Sequence, residues 1–494
     1  MKYKYKFSVI VPIYNLELFL NEALNSIVKQ TIGFKENIQL ILINDGSSDN
    51  SEKICKKFLD LYPENIIYKK QENKGVSTAR NVGLNFASGK YINFFDGDDI
   101  WDLETFEKIF DFFEENQSKI DVVSCRQKYF ESKKSVHALD FKYDDGNRIV
   151  SINENPEFIQ MSVASTFIKS DIAKKFQFDK RLKYAEDAKY ITQIILEKEK
   201  YGIFKDCIYH IRKRFDSSSS TQNKTLAVEA YTDTVDYYYE FLIDYSKKKY
   251  KKIIPYIEYA LINAIKYRVG QEVPSSISDN IQKSYKSKLI KIIKQIDDEV
   301  IINTNKVVAD TKLYLLKLKY EELLEKDLKL VNNIIYFKDK EIGEINGKNN
   351  LNIENIKLNK NKLILNGTIK MSNYFLFDHL YIDTIGKTYS INLLPANDKN
   401  RKSFCGDDMN KIKRFSTLIE LDKKVTKLGF YCIYDENILI YRPNIIENTK
   451  RINLNKRCVR LKNKMITLSK NKILVVRRYS ILKFIKKMIL AKIK

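Results

Sequence analysis

Short apolar runs alternate with stretches of helical spacing over the first 115 residues. Phe7-Ser-Val-Ile-Val-Pro12 predicts a short buried strand. Leu16, Phe19, Leu20, Ala23, Leu24 and Ile27 recur at about 3.6 residues per turn and predict a helix reaching Lys29. Ile38 to Ile43 predicts a second strand, and Glu52 to Tyr62 a helix that Asp49 or Ser51 can cap. Ile66 to Lys69, Val76 to Ala87 and Tyr91 to Phe95 continue as strand, helix and strand. This order predicts an α/β fold, Rossmann-like, with a mostly parallel sheet covered on both faces.

The pattern loosens after residue 115. Val122 to Cys125 and Ile208 to Arg214 read as strands, Leu182 to Glu197 opens a helix, and Asp140 to Ile152 reads as polar loop. From about Thr225 the period becomes helical: Val235, Tyr238, Tyr239, Leu242 and Tyr245 share one face, as do Leu261, Ile265 and Val269. From about Asn350 short strands with polar punctuation predict an antiparallel β-sandwich, with Asn366-Gly367 at a turn or bulge. The expected division is 1–224, an α/β domain; 225–345, a helical region; 350–460, a β-rich domain; and 477–494, a basic amphipathic helix. No fixed-period repeat is visible.

The 44% hydrophobic content is enough for real cores and excludes wholesale disorder. A net charge of +24 implies an anionic partner: nucleic acid, an anionic membrane face or a polyanionic substrate. The six cysteines are scattered without a Cys-x-x-Cys pair, which reads as free thiols in a reducing cytosol. The start has no apolar signal region, and no stretch approaches the ~18 apolar residues of a spanning helix. Residues 477–494 carry seven basic residues and no acidic one, with Ile481, Phe484, Ile485, Met488 and Ile489 at helical spacing. That suits an anionic membrane surface, or docking on the chain's own domain. A cytosolic or peripheral membrane protein is the expectation.

The candidate chemistry centres on Lys90 to Trp101, an apolar strand running into Asp96-Gly97-Asp98-Asp99. Acidic groups at the carboxyl edge of a sheet lie where open α/β sheets bind ligands. Their oxygens suit Mg²⁺ or Mn²⁺, ions that usually bring phosphates. The bland alternative is helix capping, with Asp99 capping Trp101 to Phe113 and Asp102 in the first turn. Three crowded carboxylates exceed what a cap needs. Taken singly, Asp45-Gly46-Ser47 is a turn, Glu186-Asp187 is acidic residues in a helix's first turn, Arg212 and Arg214 are surface charge, and His210 is structural.

Their order changes this. Phe7 to Asn15, then Ile43-Asn-Asp45-Gly-Ser-Ser-Asp-Asn-Ser, then Asn73-Lys-Gly75-Val-Ser-Thr-Ala-Arg80-Asn81-Val-Gly83, then Phe95-Asp96-Gly97-Asp98-Asp99, then Glu186-Asp187 closely resemble glycosyltransferase family 2, the inverting GT-A type, over roughly residues 5–221. The resemblance implies that Pro12, Tyr14, Asp45, Asn73, Arg80, Asp96 and Gly97 line the nucleotide-sugar site. It implies an Asp-x-Asp pair in Asp96 and Asp98, with Asp98 the direct ligand of Mn²⁺ or Mg²⁺ and Asp99 an alternative. It implies that Asp187, beside Glu186, is the catalytic base. The Tyr209 to Ser218 segment resembles the one that closes over the pyrophosphate in relatives; it offers Arg212 or Arg214, and Ser217. The expected reaction moves a sugar from a nucleotide-sugar, UDP-linked, to a hydroxyl of a glycan, a polyol-phosphate polymer or a lipid-linked acceptor.

The helical region, β-rich module and basic tail are similar in architecture to transferases of wall teichoic acid and capsular polymers. The module is then expected to bind growing polymer or to mediate self-association into a homo-oligomer. A nucleic-acid-binding protein is the first rival, but the positives are spread along the chain and acidic strand ends oppose phosphate-backbone binding, so nucleic acid is not expected. A non-catalytic glycan-binding scaffold is the second, opposed by the retained Asp45, Asp98 and Asp187. A nucleotidyltransferase needs no Glu-Asp base.

Overall fold

The computed structural model describes residues 3–215, 227–269 and 273–321, and residues 327–478 with interruptions. The chain divides into two compact units, Met1–Tyr267 with Pro274–Lys306 and Arg268–Val273 with Val307–Lys494.

The first unit is built on one mixed sheet. In chain order its elements are β1 (Tyr5–Ile13), α1 (Leu20–Val28), α2 (Phe34–Asn37), β2 (Ile38–Asp45), α3 (Ser51–Leu61), β3 (Ile66–Gln71), α4 (Val76–Phe86), β4 (Gly89–Phe94), β5 (Ile100–Trp101), α5 (Thr105–Glu115), β6 (Val122–Glu131), β7 (Ser135–Val136), β8 (Arg148–Ser151), β9 (Thr166–Lys169), α6 (Ser170–Ala173), α7 (Glu186–Lys198) and β10 (Lys200–Lys213). The strand order is β3-β2-β1-β4-β9-β6-β10-β5. The four N-terminal strands are parallel, as is β6 with β10; β9 enters antiparallel between β4 and β6.

Every residue of β2 is buried, which is why Leu40 to Ile43 is a continuous apolar run rather than an alternating one. One face packs on α1, α3 and α5 through Phe7, Val9, Val11, Leu24, Ile27, Phe58 and Phe106. The other carries α4 and α7. Gly83 lets α4 lie close, since a Cβ there would stand 2.3 Å from Ile10 Cγ2. Tyr190 of α7 stacks on Phe178 at 4.0 Å and meets Phe94 edge-on at 5.6 Å.

Three local expectations are corrected. Residues 100–101 are not helical: they form β5, antiparallel to Tyr209 and His210 of β10, and the helix begins at Thr105. Trp101 is drawn into the core there, its indole N–H on Asn93 Oδ1 at 3.3 Å. The stretch from Asp140 to Ile152 is not loop throughout. It holds a 3₁₀ turn, Asp140–Tyr143, fixed by Arg126 on Asp140 at 2.6 Å, and then β8. The helix after β2 has Asn50, not Asp49 or Ser51, at its N-cap position, but Asn50 makes no side-chain cap bond and Asp49 Oδ1 accepts the Ser51 N–H at 2.9 Å, so Asp49 does serve the helix start.

Helices Glu240–Tyr250, Pro255–Val269, Asp279–Ile293 and Asp298–Asn303 follow, entered by a π turn over Val235–Tyr239. Val235, Tyr238, Tyr239 and Leu242 are buried, as the periodicity requires. The second unit contains helix Ala309–Tyr320, a small three-stranded sheet and two larger sheets. Most of its pairs are antiparallel, but Leu351–Ile353 runs parallel to Pro443–Ile445. Asn366-Gly367 lies within strand Lys362–Met371; the bulge is on the partner strand, between Ile353 and Asn355. Arg477 and Arg478 belong to a strand, Leu474–Arg478, and the rest of the proposed terminal helix lies outside the described residues. Among the described residues no helix is long and apolar enough to cross a membrane. Cys55, Cys125, Cys207, Cys405 and Cys432 are free thiols.

Candidate active site

The site forms at the carboxyl ends of β1, β2 and β4. The loops after β1 and β2 are stitched together. Asn15, in the left-handed region at φ 52, accepts Ser48 N–H at 2.9 Å, and its own N–H reaches Ser47 Oγ at 3.1 Å. Leu16 N–H donates to Ser51 Oγ at 2.8 Å. Asp49 accepts Glu17 N–H while Glu17 accepts Asn50 N–H, both at 2.9 Å. The Ser-Ser-Asp-Asn-Ser run is therefore the fastening of a loop platform. Tyr14 stands on this platform with its side chain 51% exposed, and Pro12 is half-buried beneath it.

Asp45 ends β2 with its carboxylate buried. It accepts Gln71 Nε2 at 2.7 Å and the N–H groups of Lys74 and Gly75, each at 2.9 Å. These bonds hold the turn that starts α4 and leave Asn73 exposed at its tip.

The three aspartates after β4 point in different directions. Asp99 is withdrawn. It is buried and accepts Arg212 N–H at 2.8 Å, so the capping role is overturned. Desolvation first, then the charges of Asp98 and Asp96, push its carboxyl well above the usual carboxylate range. Asp102, the other proposed first-turn residue, accepts Ile208 N–H at 2.9 Å and pairs with His210 at 2.7 Å, which makes His210 structural. Asp98 is largely buried, its side chain 19% exposed, and lies 2.5 Å from Arg214 Nη2. Asp96 is 39% exposed, with its pKa raised by desolvation first and by Asp98 and Asp187, while Arg80 pulls the other way. Gly97 is needed for packing: a Cβ would come to 2.9 Å from Leu16 Cδ1 and 3.2 Å from Leu20 Cδ1.

The two arginines of β10 and its exit are not surface charge. Arg212 Nε binds Asp98 O at 2.8 Å, Nη2 reaches Glu22 at 2.5 Å, and the guanidinium lies 4.5 Å from the Phe130 ring centroid. It braces the acid loop from below. Arg214 reaches the Asp98 carboxylate itself, with Phe19 at 4.5 Å behind it. Arg214 is thus placed where a diphosphate next to Asp98 would meet it.

Arg80 comes from α4 and is 5% exposed. Nη1 binds Glu186 at 2.9 Å and Nη2 binds Asp96 at 3.1 Å. Burial works against its charge, but Asp96, Glu186 and Asp187 outweigh it and raise its pKa. Ala185, left-handed at φ 67, turns the chain into α7. Glu186 then goes inward to Arg80 while Asp187 stays half-exposed, accepting Ala188 N–H at 2.8 Å. One guanidinium therefore ties the acid loop to the Glu-Asp pair. Ser217 lies outside the described residues.

The sequence reading missed Glu22, Phe19, Phe130 and Tyr209. Tyr209 is buried, bonds the Asp99 side chain, and its hydroxyl accepts Asp96 N–H at 3.4 Å. Glu22, Phe19 and Phe130 sit in no motif, and Tyr209 opens a segment that was read for its arginines. Among the described residues no three of His, Cys, Asp and Glu converge on a metal position. The carboxylates of Asp96 and Asp98 offer the hard oxygens that suit a divalent ion sharing them with phosphates.

The sequence profile of Glycosyl transferase family 2 matches residues 8–176. GgaA of Bacillus subtilis, a minor teichoic acid biosynthesis protein, is 34% identical over 302 residues, covering 60% of this chain and 68% of that protein. The chain belongs to glycosyltransferase family 2. GgaB of the same organism, likewise a minor teichoic acid biosynthesis protein, is 39% identical over 322 residues, 65% of this chain; the match spans only 36% of GgaB. Crystal structures of S. aureus TarS share the fold. Residues 1–349 in complex with UDP-GlcNAc align at TM-score 0.52 and 18% identity, over 67% of this chain and 96% of that one. A longer TarS structure aligns at TM-score 0.50 and 16% identity, over 97% of this chain and 86% of that one. The chain is a glycosyltransferase of this family, related to teichoic acid transferases, with a GT-A-like sheet, a helical middle and C-terminal antiparallel sheets.

Proposed function

We propose that the chain moves a sugar from a UDP-sugar to a hydroxyl of a teichoic-acid-like polymer, with inversion and with a divalent ion. The arrangement that carries this reading is the pair Asp98–Arg214 beside the linked trio Asp96–Arg80–Glu186, with Asp187 half-exposed next to them. The UDP-GlcNAc complex of TarS supports a UDP-linked donor, and the names of GgaA and GgaB support a teichoic-acid acceptor.

Asp96 and Asp98 would hold Mn²⁺ or Mg²⁺, which supplies charge neutralisation for the departing diphosphate. Arg214 meets the same growing negative charge from the protein side. Asp187 accepts the proton of the attacking hydroxyl, a step a side chain accelerates typically ~10²–10⁴-fold. Glu186 and Arg80 fix the helix end from which Asp187 projects. Single displacement at the anomeric carbon inverts it. A charge of +24 suits a phosphate-rich acceptor at a membrane face, where the chain would act peripherally.

The test is the full chain with UDP-GlcNAc, Mn²⁺ and a poly(polyol-phosphate) acceptor, read by mass spectrometry and by the anomeric NMR coupling of the product. Inverted sugar on the polymer supports the reading. A retained anomer, or no thermal stabilisation by any UDP-sugar, overturns it.

A further inference from the structure

Asp187 projects from a helix start that its own sequence secures poorly. Ala185 stands in the left-handed region at φ 67, which is costly for an alanine, and no side chain caps α7. A residue in such a conformation persists where its surroundings over-determine it. Charged residues on either side of Asp187 supply that constraint. Glu186 is held by Arg80 of α4. Lys189 is buried, and its ammonium donates to Asp179 Oδ2 at 2.7 Å and to Tyr237 O at 2.8 Å, with the Phe241 ring centroid at 3.7 Å. Asp179 is itself fixed. Arg181 forks onto both its oxygens, at 2.9 and 2.7 Å, and Ser77 Oγ of α4 donates to its carbonyl at 3.3 Å. Just before it, Asn81 of α4 exchanges two bonds with the Phe178 backbone, at 2.9 and 2.8 Å.

Tyr237 lies in the π turn Val235–Tyr239, a kind of turn frequent at functional sites, and its ring meets the Arg181 guanidinium at 4.1 Å. One ammonium therefore joins three pieces of chain: the start of α7, the segment before it, and the turn that opens the helical region. A buried ammonium is costly unless its bonds are made, so the junction resists displacement. Lys189 and Asp187 are two apart on the helix and do not face each other, so Lys189 can reach the chemistry only through the backbone between them. We propose that Lys189, tied to Asp179 and the Tyr237 carbonyl, is a positioning residue that sets where Asp187 stands, and that the helical region thereby takes part in placing the base. This deepens the transferase reading above and rests on it.

The test uses the full chain with UDP-GlcNAc, Mn²⁺ and a poly(polyol-phosphate) acceptor. Lys189→Met keeps an apolar stem against Phe241 and leaves Asp179 paired with Arg181, so it should fold; its melting curve checks this. It should lower kcat about tenfold while the dissociation constant of UDP-GlcNAc changes little, because a misplaced reacting group costs rate. Lys142→Met, which removes a buried amine elsewhere in the same unit, should turn over like the wild type. Hydrogen exchange should quicken over residues 185–190 in Lys189→Met and stay unchanged in α3. In an Asp187→Asn background the Lys189 change should cost no further rate, because residues that act through one group are not additive. The same loss in both backgrounds, or an equal loss in Lys142→Met, makes Lys189 a contact for stability alone and overturns the proposal, with the transferase reading intact. Unchanged exchange at the start of α7 overturns it as well. Full turnover in Asp187→Asn, or no transfer by the wild type, overturns the reading of the site itself, and the positioning role with it.

Discussion

Arg80 Nη1 lies 2.9 Å from Glu186 Oε1, a pair drawn from positions 106 residues apart and buried between α4 and α7. The same guanidinium reaches Asp96, so the helix carrying the proposed base and the loop carrying the proposed metal ligands share one brace. Removing one partner of a buried pair leaves a charge without compensation. Arg80→Ala should therefore cost about 3–5 kcal/mol of stability. Arg80→Lys keeps the charge but cannot span two carboxylates as a fork does. It should keep most of the stability and still lower kcat. Urea unfolding and steady-state kinetics on both variants separate the effects; a fully active Arg80→Ala protein would refute the brace.

Asp98 and Arg214 make one end of the site. Were Asp98 to hold a divalent ion, EDTA should abolish transfer and Mn²⁺ or Mg²⁺ restore it. Asp98→Asn should weaken the apparent affinity for Mn²⁺, and Arg214→Ala should reduce kcat at saturating Mn²⁺. Turnover that ignores EDTA would count against Asp98 as a ligand.

Asp187 is the half-exposed member of the Glu-Asp pair, since Glu186 is spent on Arg80. Asp187→Asn should lower kcat by roughly 10²–10⁴-fold, the usual worth of a general base. The dissociation constant of UDP-GlcNAc, measured by calorimetry, should change little. Full activity in this variant would end the assignment.

The parts of this site that sequence made legible are local. Buried parallel strands carry short apolar runs, so β1, β2 and β4 stand out, as do the acid that ends β2 and those that follow β4. What each acid does was not legible. Asp98 and Asp99 are adjacent, yet one pairs with Arg214 and the other accepts an N–H from β10, because residues 100–101 pair with that strand instead of starting a helix. Arg212 looked like surface charge because its partner Glu22 is 190 residues away. Asp45 and the serines after Ile43 read as a turn. They are that, and also the fastening of two loops, which only the fold brings together.

Lys142 gives a prediction independent of the catalytic reading. Its amine is buried against the rings of Tyr143 and Tyr201, donating to Ile159 O at 3.0 Å and to Gln160 Oε1. No carboxylate pairs with it among the described residues, and burial pushes its pKa from 10.5 down to about 7. Between those values the unfolded chain holds a proton that the folded chain does not, so stability rises with pH across this window. Below pH 7 both states are protonated and the contribution is flat. From pH 7.5 to 9.5, two pH units at about 1.4 kcal/mol each, this group alone should add about 2–3 kcal/mol to the unfolding free energy. Lys142→Met shifts the absolute stability, because Ile159 O loses its donor, but it should remove this slope. Guanidinium unfolding at the two pH values, in wild type and variant, measures the difference. The same pH dependence in both proteins would show that Lys142 is charged in the folded state at neutral pH.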